Sequence, residues 1–298
     1  MASRQRLAVV VITKNEERQI ARCLESTRWA DELIIVDDES GDRTAEIARG
    51  YGARVITHRS DGNFDRQRNL GIGAATAEWV LQMDADEVIP AALRQEIDRV
   101  LASGAGSAES PVAYRIRRRN CFLGRFMRYG GWSTEGVKLF RRNRARYVGR
   151  SVHETLQVDG ATGALTVEIE HYPFTSLEQV VGRTNQYTTV EARLLAEEQP
   201  RLPCRTIAYQ MTWRPVKLFW KSYVRKAGWR DGMHGLVFAL WGAWSHMLRW
   251  AKYWEITRAT SYELRATSGQ RSVSQLAARS SQPESRVSSL GSRVGGSS

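Results

Sequence analysis

Two carboxylates, Asp84 and Asp86, close an apolar run that begins at Trp79 and is typical of a buried strand. Side chains i and i+2 of an extended segment point the same way, so this spacing predicts that both carboxylates reach one site. Open α/β sheets bind ligands at the carboxyl edge, where such a strand ends. Two like charges so close repel, and a hard divalent cation relieves the repulsion. The sequence therefore predicts a cation site able to hold a diphosphate, with a solvated turn as the alternative.

Short apolar strands alternate with helical stretches ahead of these carboxylates. The predicted strands are 7–13, 33–36, 54–56 and 79–83, and the predicted helices are 17–28, 44–51 and 69–77. This alternation is typical of βαβ units and of a parallel sheet that helices cover on both faces. The pattern predicts a nucleotide-binding α/β domain over roughly the first 100 residues.

The pattern changes in the second half of the chain. A surface turn is predicted at 103–107. From Ala113 apolar and basic residues alternate, which predicts a strand, and the segments 138–141 and 165–169 are predicted to continue the same sheet. A long helix is predicted over 177–198. Its expected buried stripe consists of Val180, Val181, Tyr187, Val190, Leu194 and Leu195.

Aromatic and basic residues crowd the segment 205–255. Within it, 17 uncharged residues separate Asp231 from Arg249, fewer than the ~20 apolar residues that span a bilayer. The composition favours helices lying in a membrane interface, with aromatic and basic anchors. Buried helices capping the domain, or a dimer contact, are the alternative. From residue 265 the chain is rich in Ser, Gly, Arg and Gln, which predicts a disordered basic tail.

The 298 residues carry a formal charge of +12, which favours an anionic membrane, an anionic substrate or a nucleic acid as partner. Cys23, Cys121 and Cys204 are widely spaced and predict reduced thiols, neither a disulfide framework nor a zinc site. The N-terminus lacks the long apolar segment of a secretory signal, which predicts a cytosolic start.

Four motifs together resemble the family 2 glycosyltransferases of the GT-A fold. They are Val11–Glu16, Ile35–Thr44, Arg68–Gly71 and Met83–Glu87, in the order and spacing of that family. A narrower set looks like the lipopolysaccharide core β-glucosyltransferases of the WaaE/KdtX type, bacterial enzymes that extend the inner core on a heptose. That set comprises Phe64–Asn69, Asp84–Glu87, Val152–Glu154, His171–Tyr172 and the Trp-rich C-terminal segment.

The resemblance implies an α/β nucleotide-diphospho-sugar transferase fold, a Rossmann-like mixed sheet with a C-terminal helical, membrane-associating extension. The implied parts are a nucleotide-sugar-binding half (1–103), an acceptor-side half (104–204), an aromatic and basic amphipathic helical extension (205–264) and a disordered tail (265–298). The enzyme is then expected in the cytoplasm, peripheral on the inner face of the bacterial cytoplasmic membrane.

The resemblance also implies the donor site. Its nucleotide-sugar-binding residues are Thr13, Asn15, Glu16, Asp37, Asp38, Arg68, Asp84 and Ala85. In the family the carboxylates at the positions of Asp37 and Asp38 accept hydrogen bonds from the nucleobase and ribose. Arg68 would lie over the nucleotide and offset its phosphate charge. Strand-end capping by the two aspartates, and a surface role for the arginine, are the alternatives.

Mg²⁺ or Mn²⁺ is expected on Asp84 and Asp86, Asp86 being the more direct ligand, where it stabilises the departing nucleoside diphosphate. Inverting transfer also requires a base to deprotonate the acceptor hydroxyl, and Glu154 is the predicted base. His153 orients it or reaches the metal. Ordinary surface residues are the alternative for this His-Glu pair, and His171 is a weaker candidate for the same neighbourhood.

Two departures from the family pattern matter. No Glu-Asp pair stands at the usual base position, so the base rests on Glu154. The segment Gln210–Arg214 has the last two residues of the processive QxxRW motif reversed, which favours addition of a single sugar.

The expected function is thus inverting, metal-dependent and non-processive transfer of a hexose. Glucose from UDP-glucose is the expected donor, and another UDP-hexose or ADP-heptose is open. A lipopolysaccharide inner-core or similar envelope glycan is the expected acceptor, with a peptide, a polyprenyl carrier or a capsule precursor as alternatives. A nucleotidyltransferase lacks support, because Thr13–Glu17 is no Gly-rich phosphate loop. A non-enzymatic basic protein binding membrane or nucleic acid would use Arg117–Arg119, but the acidic sheet edge repels phosphate unless a metal intervenes.

Overall fold

The structure, a computed structural model, describes residues 4–103, 110–148 and 156–280, and from residue 259 onward the backbone alone. Of the predicted turn at 103–107, only Ser103 belongs to the described residues. The chain divides into two compact units. The first comprises Met1–Arg183 with Val216–Ala243, and the second comprises Thr184–Pro215 with Trp244–Ser298. The part boundaries inferred from the sequence stay a prediction.

The first unit is built on a ten-stranded mixed sheet with the order β3-β2-β1-β4-β8-β6-β12-β5, and β7 and β11 pair with β6. Strands β1 to β4 are parallel where they pair, whereas β8 is antiparallel to both β4 and β6. A separate antiparallel pair joins β9 and β10. The strands are β1 (Leu7–Thr13), β2 (Glu32–Asp37), β3 (Arg54–Thr57), β4 (Trp79–Asp84), β5 (Glu87–Val88), β6 (Ala113–Phe122), β7 (Arg125–Phe126), β8 (Glu135–Arg141), β9 (Ala145–Tyr147), β10 (Leu156–Val158), β11 (Thr162–Ala164) and β12 (Ile169–Phe174).

Helices cover the parallel strands on both faces. The α-helices are α1 (Ile20–Thr27), α2 (Thr44–Gly50), α3 (Phe64–Ala74), α4 (Ala91–Ala102), α5 (Leu177–Glu198), α6 (Cys204–Met211), α7 (Trp213–Trp220) and α8 (Met233–Ser280). A π-helical turn spans Lys221–Arg225 and a 3₁₀ turn spans Gly228–Asp231. Alternate residues of β1 face opposite ways: Val9 packs among α1, α2 and α4, whereas Val10 packs beside α3. The predicted mixed α/β sheet is confirmed.

Two predicted elements differ from the structure. Helix α3 begins at Phe64 rather than residue 69, because the Asn63 side chain accepts a hydrogen bond from the Arg66 N–H and caps the helix. The predicted strand at 165–169 was wrong except at its last residue. The N–H groups of Thr166 and Val167 donate to the Glu96 carboxylate instead of a neighbouring strand.

The buried stripe predicted for α5 was wrong at three of its six residues. Val181, Tyr187 and Val190 are exposed by 52%, 64% and 54%. The buried positions recur every four residues and are Val180, Thr184, Thr188 and Ala192. Threonine is tolerated there because its hydroxyl bonds to the preceding turn, as Thr188 Oγ1 does to the Thr184 carbonyl at 2.7 Å.

The aromatic C-terminal segment is partly buried and partly exposed. In the first unit Trp241 and Phe238 pack with Phe122 and Trp132. In the second unit Trp250 and Tyr253 pack with Ala192 and Ile207. Among the described residues no helix is long and apolar enough to cross a membrane.

Two further predictions concern the cysteines and the tail. Cys23, Cys121 and Cys204 are free thiols, as predicted. Helix α8 runs to Ser280, past the point at which the tail was predicted to begin, and 281–298 lie outside the described residues.

Candidate active site at the carboxyl edge of the sheet

The carboxyl ends of three parallel strands meet at one edge of the sheet. Strand β1 lies between β2 and β4, with Thr13 opposite Asp37 and Ile12 opposite Asp84. Ala85 and Asp86 form a turn immediately after β4. Residues predicted from separate motifs are therefore gathered at the edge where an open α/β sheet binds ligands.

Asp37 and Asp38 hold the loops that follow their strand. Asp37 accepts hydrogen bonds from the backbone and hydroxyl of Ser40. Asp38 accepts from the backbone and hydroxyl of Ser60 at 2.7 and 2.8 Å and from Lys14 Nζ at 3.1 Å. Burial opposes the charge of Asp38, but these bonds lower its pKa overall. Both carboxylates act as strand-end caps here, and their contact with a nucleoside stays a prediction.

The loop after β1 is bonded to the loop after β2. Asn15, with a left-handed φ of 54°, accepts from the Gly41 N–H at 2.8 Å. The Glu16 N–H donates to Thr44 Oγ1 at 2.8 Å, and its carboxylate accepts from Arg183 Nη2 at 2.7 Å. Burial raises the pKa of Glu16 although Arg183 opposes it. Two of the predicted donor-site residues thus fix the shape of the edge.

Asp84 is partly exposed and lies in a network of charges whose other members include the buried side chains of Glu87, Lys138 and Arg68. Its carboxylate forms an ion pair with Arg118 and lies 3.8 Å from Lys138 Nζ and 3.7 Å from Arg68 Nη2. Glu87, fully buried, accepts from Arg118 Nε and from Lys138 Nζ, each at 2.6 Å. Burial disfavours the charge of Asp84, but Lys138, Arg118 and Arg68 hold the pKa of this carboxyl well below its usual range.

Asp86 faces a different set of groups. Strand β4 ends at Asp84, so the alternation that predicted a shared direction does not continue through the turn. Asp86 Oδ2 lies 3.5 Å from His171 Nε2 and 4.0 Å from Arg183 Nη1. Its buried Oδ1 has no hydrogen-bond partner within the described part of the chain. The antiparallel pairing of β12 with β5 sets His171 opposite Glu87, and this pairing brings the imidazole to the edge.

The hydrogen bonds of Asn120 fix the tautomer of His171. Asn120 Nδ2 donates to the Trp132 carbonyl at 2.6 Å, which orients the amide. Asn120 Oδ1 then lies 2.6 Å from His171 Nδ1, and because an amide oxygen only accepts, Nδ1 carries the hydrogen. In the neutral ring Nε2 therefore presents its lone pair towards Asp86.

The residues at this edge fit a divalent cation at Asp86 and His171 rather than at Asp84. The described residues contain no cluster of three or more His, Cys, Asp or Glu that could hold a metal. Asp86 and His171 offer an unpartnered carboxylate oxygen and an imidazole lone pair, donors that Mn²⁺ accepts. His153 and Glu154 lie outside the described residues, so their roles, like the metal role of Asp84, stay predictions.

Several site residues escaped prediction, and weak signals marked some of them. Arg118 was considered only as part of an arginine run, and Glu87 only as the end of a motif. Lys138, 7% exposed, opens the apolar stretch Lys138–Phe140. A lysine inside a buried strand requires a partner, and this was the available signal. Nothing local pointed to Arg183.

A cavity of about 320 Å³ opens beside Asp84. Arg68, Arg118, Lys138 and Tyr147 line it, and the Arg68 guanidinium lies 5.2 Å from the centre of the Tyr147 ring. Cationic walls around a carboxylate at a sheet edge suit an anionic ligand such as a diphosphate.

The chain is similar to one family model, to several glycosyltransferases and to a set of solved structures. Residues 8–154 match the family model described as glycosyl transferase family 2. An uncharacterized glycosyltransferase of Rickettsia typhi is 29% identical over 264 residues, 85% of this chain and 88% of that protein. The lipopolysaccharide core biosynthesis glycosyltransferase LpsC of Rhizobium meliloti is 28% identical over 262 residues, 84% and 92% of the two chains. Among solved structures, S. aureus TarS 1-349 in complex with UDP aligns with a TM-score of 0.44 at 15% identity, covering 80% of this chain and 89% of that one.

Proposed function

Because residues 8–154 match the model of glycosyl transferase family 2, we propose that the chain transfers a single hexose from a UDP-sugar, UDP-glucose first, to a lipopolysaccharide inner-core or similar envelope glycan. The observation that supports this proposal most directly is the edge of the sheet, where Asp86 and His171 face each other beside the charge network of Asp84. The similarity to a lipopolysaccharide core glycosyltransferase along most of both chains supports the acceptor class.

The donor diphosphate is assigned to the edge between Asp84 and Asp86. Arg68, Arg118 and Lys138 offset its charge from one side, while Asp84 keeps these cations in place. Asp86 and His171 would hold Mn²⁺ or Mg²⁺, which supplies Lewis-acid stabilisation of the departing nucleoside diphosphate. Arg183, held by Glu16 at 2.7 Å, adds a cationic donor near the same point.

The acceptor hydroxyl requires a base opposite the leaving group for inverting transfer. Glu154 fills this role in the proposal, with His153 beside it, on the strength of the family resemblance. The reversed order of Trp213 and Arg214 relative to the processive motif supports release after one sugar. Thr13, Asn15, Asp37, Asp38 and Ala85 shape the nucleoside end of the pocket.

The proposed place of action is the inner face of the cytoplasmic membrane. Exposed tryptophans and cations between residues 213 and 230 support peripheral contact with anionic lipid. Nucleic acid is not a proposed partner, because the acidic sheet edge is better suited to a metal-bound diphosphate than to a bare phosphate backbone.

The test is a donor screen with purified protein. UDP-glucose, other UDP-hexoses and ADP-heptose are each incubated with Mn²⁺, Mg²⁺ or chelator, with and without truncated core lipopolysaccharide, and release of nucleoside diphosphate is measured. Release from one UDP-hexose that depends on both metal and core acceptor is the expected result. Release that is the same with and without core lipopolysaccharide would overturn the acceptor and favour a peptide, polyprenyl or capsule acceptor, and absence of release from every donor would overturn the proposal.

A further inference from the structure

A second cavity, of about 540 Å³, adjoins the charge network of Asp84. Four arginines, Arg117, Arg118, Arg119 and Arg128, contribute to its wall, and Arg118 also lines the cavity beside Asp84. The two cavities therefore have Arg118 in common, and a ligand in the second would lie within one residue of the cavity assigned to the donor.

The arginines of this cavity differ in whether their charge is already matched. Arg118 is paired with Asp84 and Glu87. For Arg117, Arg119 and Arg128 no ion pair occurs among the described residues, although the Arg119 guanidinium lies 4.1 Å from the centre of the Phe126 ring. Among the described residues of the lining, Glu168 is the one that carries a carboxylate. The cavity thus holds more positive charge than its own wall neutralises.

Backbone contacts hold the remaining wall in place before any ligand arrives. The N–H groups of Arg128 and Tyr129 donate to the buried carboxylate of Asp231 at 3.1 and 2.9 Å. The Trp132 carbonyl accepts a hydrogen bond from the Asn120 side chain. The ring of Trp132 stacks on the ring of Phe238 at a centroid distance of 5.0 Å. A preformed wall lowers the conformational entropy lost on binding.

We propose that this cavity binds the acceptor saccharide through a phosphate or carboxylate carried on a sugar. Guanidinium groups pair with both anions through two parallel hydrogen bonds, and Arg117, Arg119 and Arg128 are placed to do so. Trp132 and Tyr129 supply aromatic surface for the sugar ring. This inference rests on the proposed function, since it assigns the acceptor's chemistry to a site beside the proposed donor pocket.

The experiment uses the full chain with its donor site saturated by UDP and Mn²⁺. Glucose 6-phosphate, glucuronate and glucose are titrated separately by calorimetry into wild type, Arg117→Gln, Arg128→Gln and Arg125→Gln. Arg125 is an exposed arginine on β7 outside the cavity lining, so its variant matches the charge change. Glucose 6-phosphate reports a phosphate and glucuronate reports a carboxylate.

Wild type is expected to bind one anionic sugar at least about tenfold more tightly than glucose, since a charge-assisted hydrogen bond contributes about 1.5–3 kcal/mol. Arg117→Gln and Arg128→Gln should each lose about tenfold of that affinity, whereas Arg125→Gln should match wild type. Equal affinity for the three sugars, no binding by wild type, or an equal loss in Arg125→Gln would overturn the proposal.

The sugar titration and the donor screen can fail independently of each other. If Arg117→Gln and Arg128→Gln weaken UDP binding by the same factor as sugar binding, the arginines belong to the donor site and the acceptor assignment fails. If the donor screen succeeds and the anionic sugars do not bind, the cavity assignment fails alone. Failure of the donor screen would instead remove the proposed function itself.

Discussion

Asp84 and Asp86 are two residues apart, yet their surroundings suit different tasks. Three cations surround Asp84, and its pKa is held far below the usual range, so its charge is permanent and already compensated. Asp86 keeps one buried oxygen without a described partner and faces an imidazole lone pair. In the proposed mechanism, Asp84 therefore organises the electrostatics of the edge and Asp86 contacts the cation directly.

The first prediction concerns Asp86. Replacing it by Ala should lower transfer by on the order of 10²–10³-fold, the usual cost of removing one electrostatic contact to transition-state charge. The fold should persist, as circular dichroism can show, because no described hydrogen bond depends on the lost oxygens. Asp61→Ala removes an exposed carboxylate as a control. Full activity of Asp86→Ala, or undiminished wild-type activity in excess chelator, would remove the metal from the mechanism.

The second prediction concerns the buried charge network. Lys138→Met leaves fully buried Glu87 with Arg118 as its one remaining ion-pair partner among the described residues, and breaking a buried pair in this way typically costs about 3–5 kcal/mol in the free energy of unfolding. Lys14→Met removes a lysine whose side chain is 57% exposed, and its cost should stay at about 1 kcal/mol or less. Urea unfolding of both variants gives the comparison. Equal stability of the two would show that the network contributes little to the fold.

Sequence reasoning located the edge of the site and named His171 as a weaker candidate for it, but it did not name the cations that complete it. Acidic residues at strand ends are visible in the sequence, and parallel strands must align those ends, so Asp37 and Asp84 could be placed together. Arg118, Lys138 and His171 reach the edge from β6, β8 and β12, whose pairing joins residues distant in sequence. No local pattern specifies that register.

At the scale of elements, the contact between α3 and the sheet depends on a glycine. A Cβ at Gly71 would lie 2.4 Å from Val10 Cγ1 and 3.1 Å from Val36 Cγ2, whereas one at Gly73, on the same helix, would meet nothing within 4 Å. The absent side chain lets α3 lie close against β1 and β2.

The third prediction follows from this contact. Gly71→Ala should destabilise the chain by about 1–3 kcal/mol through overpacking. Gly73→Ala, in open space, should stabilise it by about 0.5–1 kcal/mol, because alanine loses less conformational entropy in a helix. Urea midpoints of the two variants against wild type test the sign of each effect. A stabilising Gly71→Ala would mean that α3 moves outward at little cost.

The fourth prediction concerns pH and the packing of α6 with α8 in the second unit. Arg249 Nη2 donates to His246 Nδ1 at 3.1 Å, and His246 Nε2 contacts Gln210 Oε1 at 3.0 Å, so the neutral ring uses both nitrogens. Burial, followed by the charges of Arg249 and Arg214, lowers the pKa of His246 to about 4 from 6.5. Between these values the unfolded chain binds a proton that the folded chain does not.

Stability should therefore be complete above about pH 6.5 and fall as the pH decreases towards about 4, where the folded ring also becomes protonated. Thermal unfolding across this range, compared with His246→Gln, measures the contribution. The variant should show a shallower loss of melting temperature on acidification than wild type. Parallel curves for the two proteins would assign the acid sensitivity to other groups.

Predicted elements agreed with the structure where the composition and hydrophobic periodicity of the segment itself determine its secondary structure. Strands β1, β2 and β4 are continuous apolar runs, and their boundaries shift by at most a residue or two. The buried face of α5 could not be predicted, because a threonine such as Thr188 becomes suitable for burial once its hydroxyl bonds within the helix. Apolar Val181 and Tyr187 were favoured by hydrophobicity but remain exposed.

At the scale of the whole molecule, one segment of the first unit presents apolar side chains to solvent and also supports the proposed acceptor cavity. Val216, Trp220, Trp229 and Met233 are exposed by 54%, 58%, 57% and 69%. The same segment supplies Asp231, whose carboxylate holds the cavity loop. A lipid surface touching these tryptophans would lie close to the loop that lines the proposed acceptor cavity.

The fifth prediction concerns this surface. Vesicles containing anionic lipid should retain the protein at low salt, through attraction to the basic residues and insertion of the tryptophan face. High salt should remove only part of the binding, since screening weakens the electrostatic component and leaves apolar insertion in place. Charge reversal of Lys217, Lys221 and Arg225 to Glu should abolish most of the salt-sensitive part, measured by co-sedimentation.

A matched triple variant separates a defined surface from the overall charge of +12. Arg18, Arg49 and Arg66 are exposed on the N-terminal half and lie outside the aromatic segment. Their reversal to Glu changes the net charge by the same amount and should reduce retention far less. Equal losses in the two variants would mean that net charge alone attracts the protein. No retention of wild type would instead favour a buried or dimeric role for the tryptophan face and a soluble acceptor.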